Sequence, residues 1–104
     1  PLSYAYCSDT TPNDEMFEHL DEVSLLYHES TFLHNLKPRA LDTHHSTARD
    51  AGQAAQRANA KKLIIGHFSA RYRDLDPLLV EARAEFANTE LALEGRVFDL
   101  RKDA

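Results

Sequence analysis

Four short stretches carry side chains able to bind a metal or move a proton: Asp9, His28-Glu29, His45 and His67. Carboxylates and imidazoles gathered in one place suit a divalent cation, and zinc in particular accepts a mixed N/O set. A carboxylate such as Asp9 also suits bridging two cations, because each oxygen can take one. The same residues have plainer readings. Asp9 precedes Thr10-Thr11-Pro12 and reads equally as a turn or cap residue. His67 after Gly66 reads as a loop histidine, His44-His45 as surface residues beside the caps Ser46-Thr47, and Glu29 as half of a salt bridge. Arg71 and Arg73 fit a solvated turn, and His19 and His34 a plain surface. Residue types alone leave both readings open.

The elements that must position these groups alternate. Residues 3–7 read as a strand, followed by a helix capped by Thr11, with Pro12 in its first turn and Met16, Phe17 and Leu20 on its apolar side. Residues 23–27 read as a second strand and residues 32–42, with Pro38 inside, as irregular. Ser46 or Thr47 caps a second helix, supported by Asp50 three residues after Thr47 in a short form of the capping box. Ala51, Ala54, Ala55 and Ala58 give that helix a small-residue face that can lie close on a sheet. Residues 62–65 form the clearest strand. Asp76-Pro77 opens a third helix with Leu78, Leu79, Ala82 and Phe86 on one side, and residues 96–100 can close the sheet.

The expected order is β-α-β-α-β-α-β, an α/β fold with a mostly parallel sheet and right-handed crossovers. In such sheets ligands gather at the carboxyl ends of strands. Asp9 follows the first strand, His28-Glu29 the second and His67 the third, while His45 stands just before a helix. All fall on the expected rim.

Composition sets outer bounds. A chain of 104 residues with 42% hydrophobic content, three Gly and four Pro is one globular unit, neither disordered nor fibrous. No apolar run nears the roughly 20 residues a membrane helix needs, so no membrane partner is expected. The single Cys7 excludes an internal disulfide and suits a reducing, cytoplasmic compartment. A net charge of −5 with scattered basic residues shows no basic patch of the kind nucleic-acid binders carry. The start at Pro1, two residues ahead of a strand, looks cut from something longer.

Taken together, Ser8-Asp9-Thr10, His28-Glu29-Ser30-Thr31-Phe32, His45-Ser46-Thr47 and Gly66-His67-Phe68-Ser69-Ala70-Arg71-Tyr72 resemble the last motifs of the ribonuclease Z family, in its order and near its spacing. The resemblance runs from about Tyr4 to Leu100, with Ser8 where the family usually has Gly and Gly66 where it usually has Thr. It implies the carboxyl-terminal half of a metallo-β-lactamase αββα sandwich, with one sheet and helices on one face. It also implies two-metal hydrolysis of precursor transfer RNA at its 3′ end, with two zinc ions per site. By that resemblance Asp9 would bridge both ions, His67 would bind one, and His45 would be the catalytic histidine that is not a ligand. Ser69 and Arg71 would line the RNA side, and His28 and Glu29 would support the ligands from behind.

The family's His-x-His-x-Asp-His cluster is absent from residues 1–104, as are its further histidine ligand and its transfer-RNA-gripping arm. The expectation is a single fragment, inactive alone, whose uncovered apolar sheet face pairs with a second copy as a homodimer. Two other readings remain: an arylsulfatase-like or phosphodiesterase enzyme of the same superfamily, and a non-catalytic α/β regulatory domain with Asp9 as a phosphoacceptor or turn residue.

Overall fold

The computed structural model describes the backbone of residues 4–7 and the whole of residues 24–92. Among the described residues four strands, β1 (Tyr4–Cys7), β2 (Leu25–Glu29), β3 (Lys62–Gly66) and β4 (Thr89–Leu91), form one sheet in the order β1-β2-β3-β4. Every pairing is parallel, with Cys7 opposite His28, Glu29 opposite Gly66 and Ile65 opposite Leu91. Each connection therefore steps one place in the same direction, and right-handed crossovers of that kind lay their helices on a single face. Between β2 and β3 lie a short 3-10 turn (His34–Leu36), α1 (Lys37–Asp42) and α2 (Ala48–Arg57); α3 (Asp76–Glu85) joins β3 to β4. Helix α2 packs on β2 and β3, and α3 packs on α2 and β4.

The strand period of two sorts the side chains. Leu26, Leu63 and Ile65 face the helices and meet Ala51, Ala54, Ala55 and Ala58 of α2, all fully buried. Each large aliphatic side chain in such a core contributes about 1.5–3 kcal/mol. The alanine face lets α2 sit close to the sheet. At Gly52 the approach to α3 is closer still, because a Cβ there would lie 2.7 Å from the Ala82 carbonyl oxygen and from Glu85 Cβ.

Helix α2 begins as its sequence dictates. Thr47 is extended, its hydroxyl accepts the Asp50 N–H at 3.1 Å, and the Asp50 carboxylate accepts the Thr47 N–H at 3.0 Å. The Lys37 ammonium lies 2.7 Å from the same carboxylate. Burial pushes the Asp50 carboxyl up, but the Lys37 charge and the Thr47 hydrogen bonds together hold it below the ordinary value. The helix stops at Asn59, which takes a left-handed φ of 53°. There the Ala60 N–H reaches the Ala55 carbonyl and the Asn59 N–H the Gln56 carbonyl, the paired bonds of a Schellman terminator.

Two expectations change, and one strand was not expected. Residues 32–42 are not irregular: they hold the 3-10 turn and α1. Pro38 sits in the first turn of α1, where its missing N–H has no partner to lose. The second strand runs two residues later than expected, so His28 and Glu29 lie inside it rather than after it. The fourth strand is the three-residue Thr89–Leu91, too short for a sequence pattern to show. The expected helix after Thr11 and the expected strand at 96–100 lie outside the described residues.

The sheet face away from α2 and α3 is not bare in its described part. Leu25 and Ile64 on that face are 4% and 3% exposed, and Lys62 and Glu90 make an ion pair at 3.0 Å. Among the described residues the exposed large apolar side chains are Leu41 and Val80, both on helices.

Candidate functional site

Glu29, the last residue of β2, is fully buried at the carboxyl rim of the sheet. Its Oε2 accepts the Thr31 N–H at 3.1 Å, and its Oε1 takes a short hydrogen bond from the Ser46 N–H. The Thr31 hydroxyl lies 2.5 Å from Glu29 Oε2 and 3.0 Å from the His67 carbonyl oxygen, so its one proton serves one of the two at a time. Backbone amides converging on a buried carboxyl group fix its position, since unmaking any of them would strand a buried polar atom.

His45 stands over that carboxyl group, its Nδ1 3.7 Å from Glu29 Oε1. A helix terminator delivers it. His44 has a φ of 59°, the His45 N–H donates to the Ala40 carbonyl at 2.8 Å, and the His44 N–H donates to the Leu41 carbonyl at 3.3 Å. That is a second Schellman motif, closing α1. Expecting no helix at 32–42 hid this device.

His67 follows β3 directly and also has left-handed backbone, at φ 58°. A side chain other than glycine in that region is uncommon, and it clusters at functional sites. The turn brings the His67 ring centroid to 5.3 Å from that of His45. Glu29, His45 and His67 each place one ligand atom within 4.8 Å of the others. Nitrogen and carboxylate oxygen together are a donor set that a zinc ion accepts.

The next loop is tied to the same rim. The Ser69 N–H donates to the Thr31 carbonyl at 3.0 Å, the Ser69 hydroxyl accepts the Arg71 N–H at 3.3 Å, and the Tyr72 hydroxyl accepts the Leu33 N–H at 2.8 Å. Arg71 is exposed, with its guanidinium over the Phe32 ring. The amino end of α2 lies beside these residues but offers no anion cradle. Its Ala48, Arg49 and Asp50 N–H groups already donate to Phe32, Glu81 and Thr47. A phosphate arriving here would meet side chains.

The candidates thus divide. Glu29, His45, His67, Ser69 and Arg71 share the rim, while His28 does not join them. Strand alternation turns His28 to the helix side, where it is fully buried with Nδ1 2.7 Å from the Glu29 carbonyl oxygen. Burial lowers its pKa below the ordinary 6.5, against the opposing pull of the Glu29 carbonyl and the Glu29 and Asp50 charges. Asp9 lies outside the described residues, although β1 ends at this same edge of the sheet. The sequence reading assigned no role to Thr31, Phe32 or Tyr72, which knit the rim together. Their only signal was membership of the same motifs.

No family model matches the chain. Ribonuclease Z of Cytophaga hutchinsonii is 55% identical over 96 residues, which is 92% of this chain and 31% of that protein. Ribonuclease Z of Bacteroides fragilis is 49% identical over 100 residues, 96% of this chain and 33% of its own length. Among solved structures, a long-form RNase Z from yeast matches with TM-score 0.78 at 33% identity, over 93% of this chain and 13% of that one. The short form of human tRNase Z matches with TM-score 0.66 at 28% identity, over 90% of this chain and 30% of that one. A metallo-β-lactamase fold protein of Bacillus subtilis reaches TM-score 0.83 at 24% identity, over 90% of this chain and 38% of its own, and speaks for the fold alone. Over nearly all of its own length, and about a third of that of the curated relatives it matches, this chain carries the sequence and the metallo-β-lactamase fold of the ribonuclease Z family.

Proposed function

We propose that the intact protein bearing this chain is a zinc-dependent endoribonuclease of the cytoplasm that removes the 3′ trailer from precursor transfer RNA. The observation that carries this reading is the meeting of His67 with the Glu29–His45 pair at the carboxyl rim of a parallel sheet. This chain supplies the carboxyl-terminal part, and the remaining ligands come from a His-x-His-x-Asp-His cluster upstream of it. Zinc, when bound, supplies Lewis acidity for phosphodiester hydrolysis. In this reading Asp9 and His67 would be among the residues that hold it.

The chain's own residues do the rest. Glu29 is held by Ser46 and Thr31 and sits 3.7 Å from His45 Nδ1, so it orients the ring. His45 hands a proton to the departing 3′ oxygen. Arg71 meets the scissile phosphate, and Ser69 shapes the loop that presents it. With much of the RNA grip lying elsewhere in the protein, the net charge of −5 is no obstacle.

The test is cleavage of precursor transfer RNA by the intact protein, beside a small phosphodiester. His45→Ala should lower kcat by about 100- to 10,000-fold, as loss of a general acid does. Glu29→Gln should lower it by roughly 10- to 100-fold, as loss of a supporting partner does. Cleavage of the small ester with no action on the RNA would point to a sister hydrolase of the same fold. The isolated chain should cleave neither.

A further inference from the structure

Phe32 plays no part in the reading above, yet it touches two of its members. The side chain is 5% exposed. Its backbone is held along the segment that leads into α2: the Phe32 N–H donates to the Ser46 carbonyl at 3.4 Å, the Phe32 carbonyl accepts the Ala48 N–H at 2.9 Å, and a parallel bridge pairs it with Thr47. The ring has little freedom. The His45 imidazole meets it edge to face, centroids 6.3 Å apart at 71°. The Arg71 guanidinium carbon lies 5.5 Å from the ring centroid.

Arg71 is exposed and long, and such a side chain samples many rotamers unless something selects one. A cation is attracted to the face of an aromatic ring within about 6 Å. The buried ring of Phe32 therefore offers Arg71 a fixed seat, and the same ring bounds the place His45 can occupy. We propose that Phe32 is a positioning residue, a rigid buried plate that sets the separation of the Arg71 guanidinium and the His45 imidazole. The proposal rests on the nuclease reading for its consequence, because a phosphodiester gripped by Arg71 must be the one His45 serves. Small errors in such placement are costly to rate.

The experiment uses the intact protein with Phe32→Leu, Phe32→Tyr, Arg71→Ala and the Phe32→Leu/Arg71→Ala pair. Thermal melts would accompany the kinetics on precursor transfer RNA. Phe32→Leu should lower kcat/KM roughly tenfold, as misplaced catalytic groups do. Phe32→Tyr keeps the ring face and should stay within about twofold of the parent. In the Arg71→Ala background Phe32→Leu should cost much less, because the group it seats is gone. Losses that multiply in the pair, or Phe32→Leu matching the parent, would overturn the proposal. Proton NMR gives a readout free of activity. The Arg71 Hδ signals should be shifted upfield by the ring in the parent and relax in Phe32→Leu, and an unshifted parent removes the seat whatever the enzyme does. A shifted parent that cleaves no RNA keeps the seat and removes the nuclease reading.

Discussion

His28 and Glu29 are neighbours in sequence, but their side chains leave β2 on opposite faces. One faces the helices and the other the rim, and burial treats them differently. Glu29 has hydrogen-bond donors on both oxygens, whereas the His28 Nε2 is buried with no hydrogen-bond partner among the described residues. Burial favours neutral His28, so its folded pKa lies below the 6.5 of the unfolded chain. The sign follows. Between those two values the unfolded state holds a proton that the folded state lacks, so stability falls as the pH drops below about 6.5. The slope from this one group is at most about 1.4 kcal/mol per pH unit. Asp50 acts in the same direction, but only as the pH nears and passes below its ordinary 3.8. Urea unfolding at pH 7.5, 6.5 and 5.5 should show this loss, and His28→Leu should flatten it while changing stability at pH 7.5 by less than about 1.5 kcal/mol. An unchanged slope in the variant would mean that other groups carry the acid sensitivity.

Two helix ends and one helix contact govern the elements. Terminators at His44 and Asn59 end α1 and α2 by the same pair of backbone bonds, and the first of them hands His45 to the site. The sequence reads 32–42 as irregular with Pro38 inside it, whereas the fold uses Pro38 to start α1. At the α2–α3 contact Gly52 reverses the usual propensity rule. Glycine to alanine inside a helix ordinarily gains about 1 kcal/mol. Here the new methyl group would press on the Ala82 carbonyl, which is backbone and cannot swing aside. Gly52→Ala should therefore lose about 1–3 kcal/mol, visible as a lower denaturation midpoint with unchanged m. Should the midpoint rise instead, the two helices are not packed this closely.

For the molecule as a whole, the chain spans about a third of the curated relatives it matches, and its site is expected to be shared with the rest. Asp9 and His67 alone are too few for two zinc ions, which take about four ligands each. The intact protein should retain zinc through dialysis and the isolated chain should lose it, as metal analysis of the two would show; retention by the isolated chain would place a complete site within residues 1–104. A homodimer is proposed on the sheet face away from the helices. Its described part, with Leu25 and Ile64 buried and Lys62 paired to Glu90, offers that pairing little apolar surface. Light scattering at high concentration decides it, and a monodisperse monomer would end the idea.

Sequence alone settled what depends on local chemistry. The capping box at Thr47 and Asp50, the alanine face of α2, the strand at 62–65 and the parallel α/β order all follow from residue type and short-range spacing. The ordered motifs, from Ser8 to Tyr72, also pointed to the family before any coordinates did. Tertiary structure decided what depends on which face a side chain takes and which distant segment it meets. Because β2 continues through His28 and Glu29, His28 turns to the helix side and Glu29 stays at the rim, as successive strand residues point to opposite sides. The meeting of Glu29, His45, His67 and Phe32 depends on left-handed turns and on loops crossing between strands, and no spacing along the chain encodes those distances.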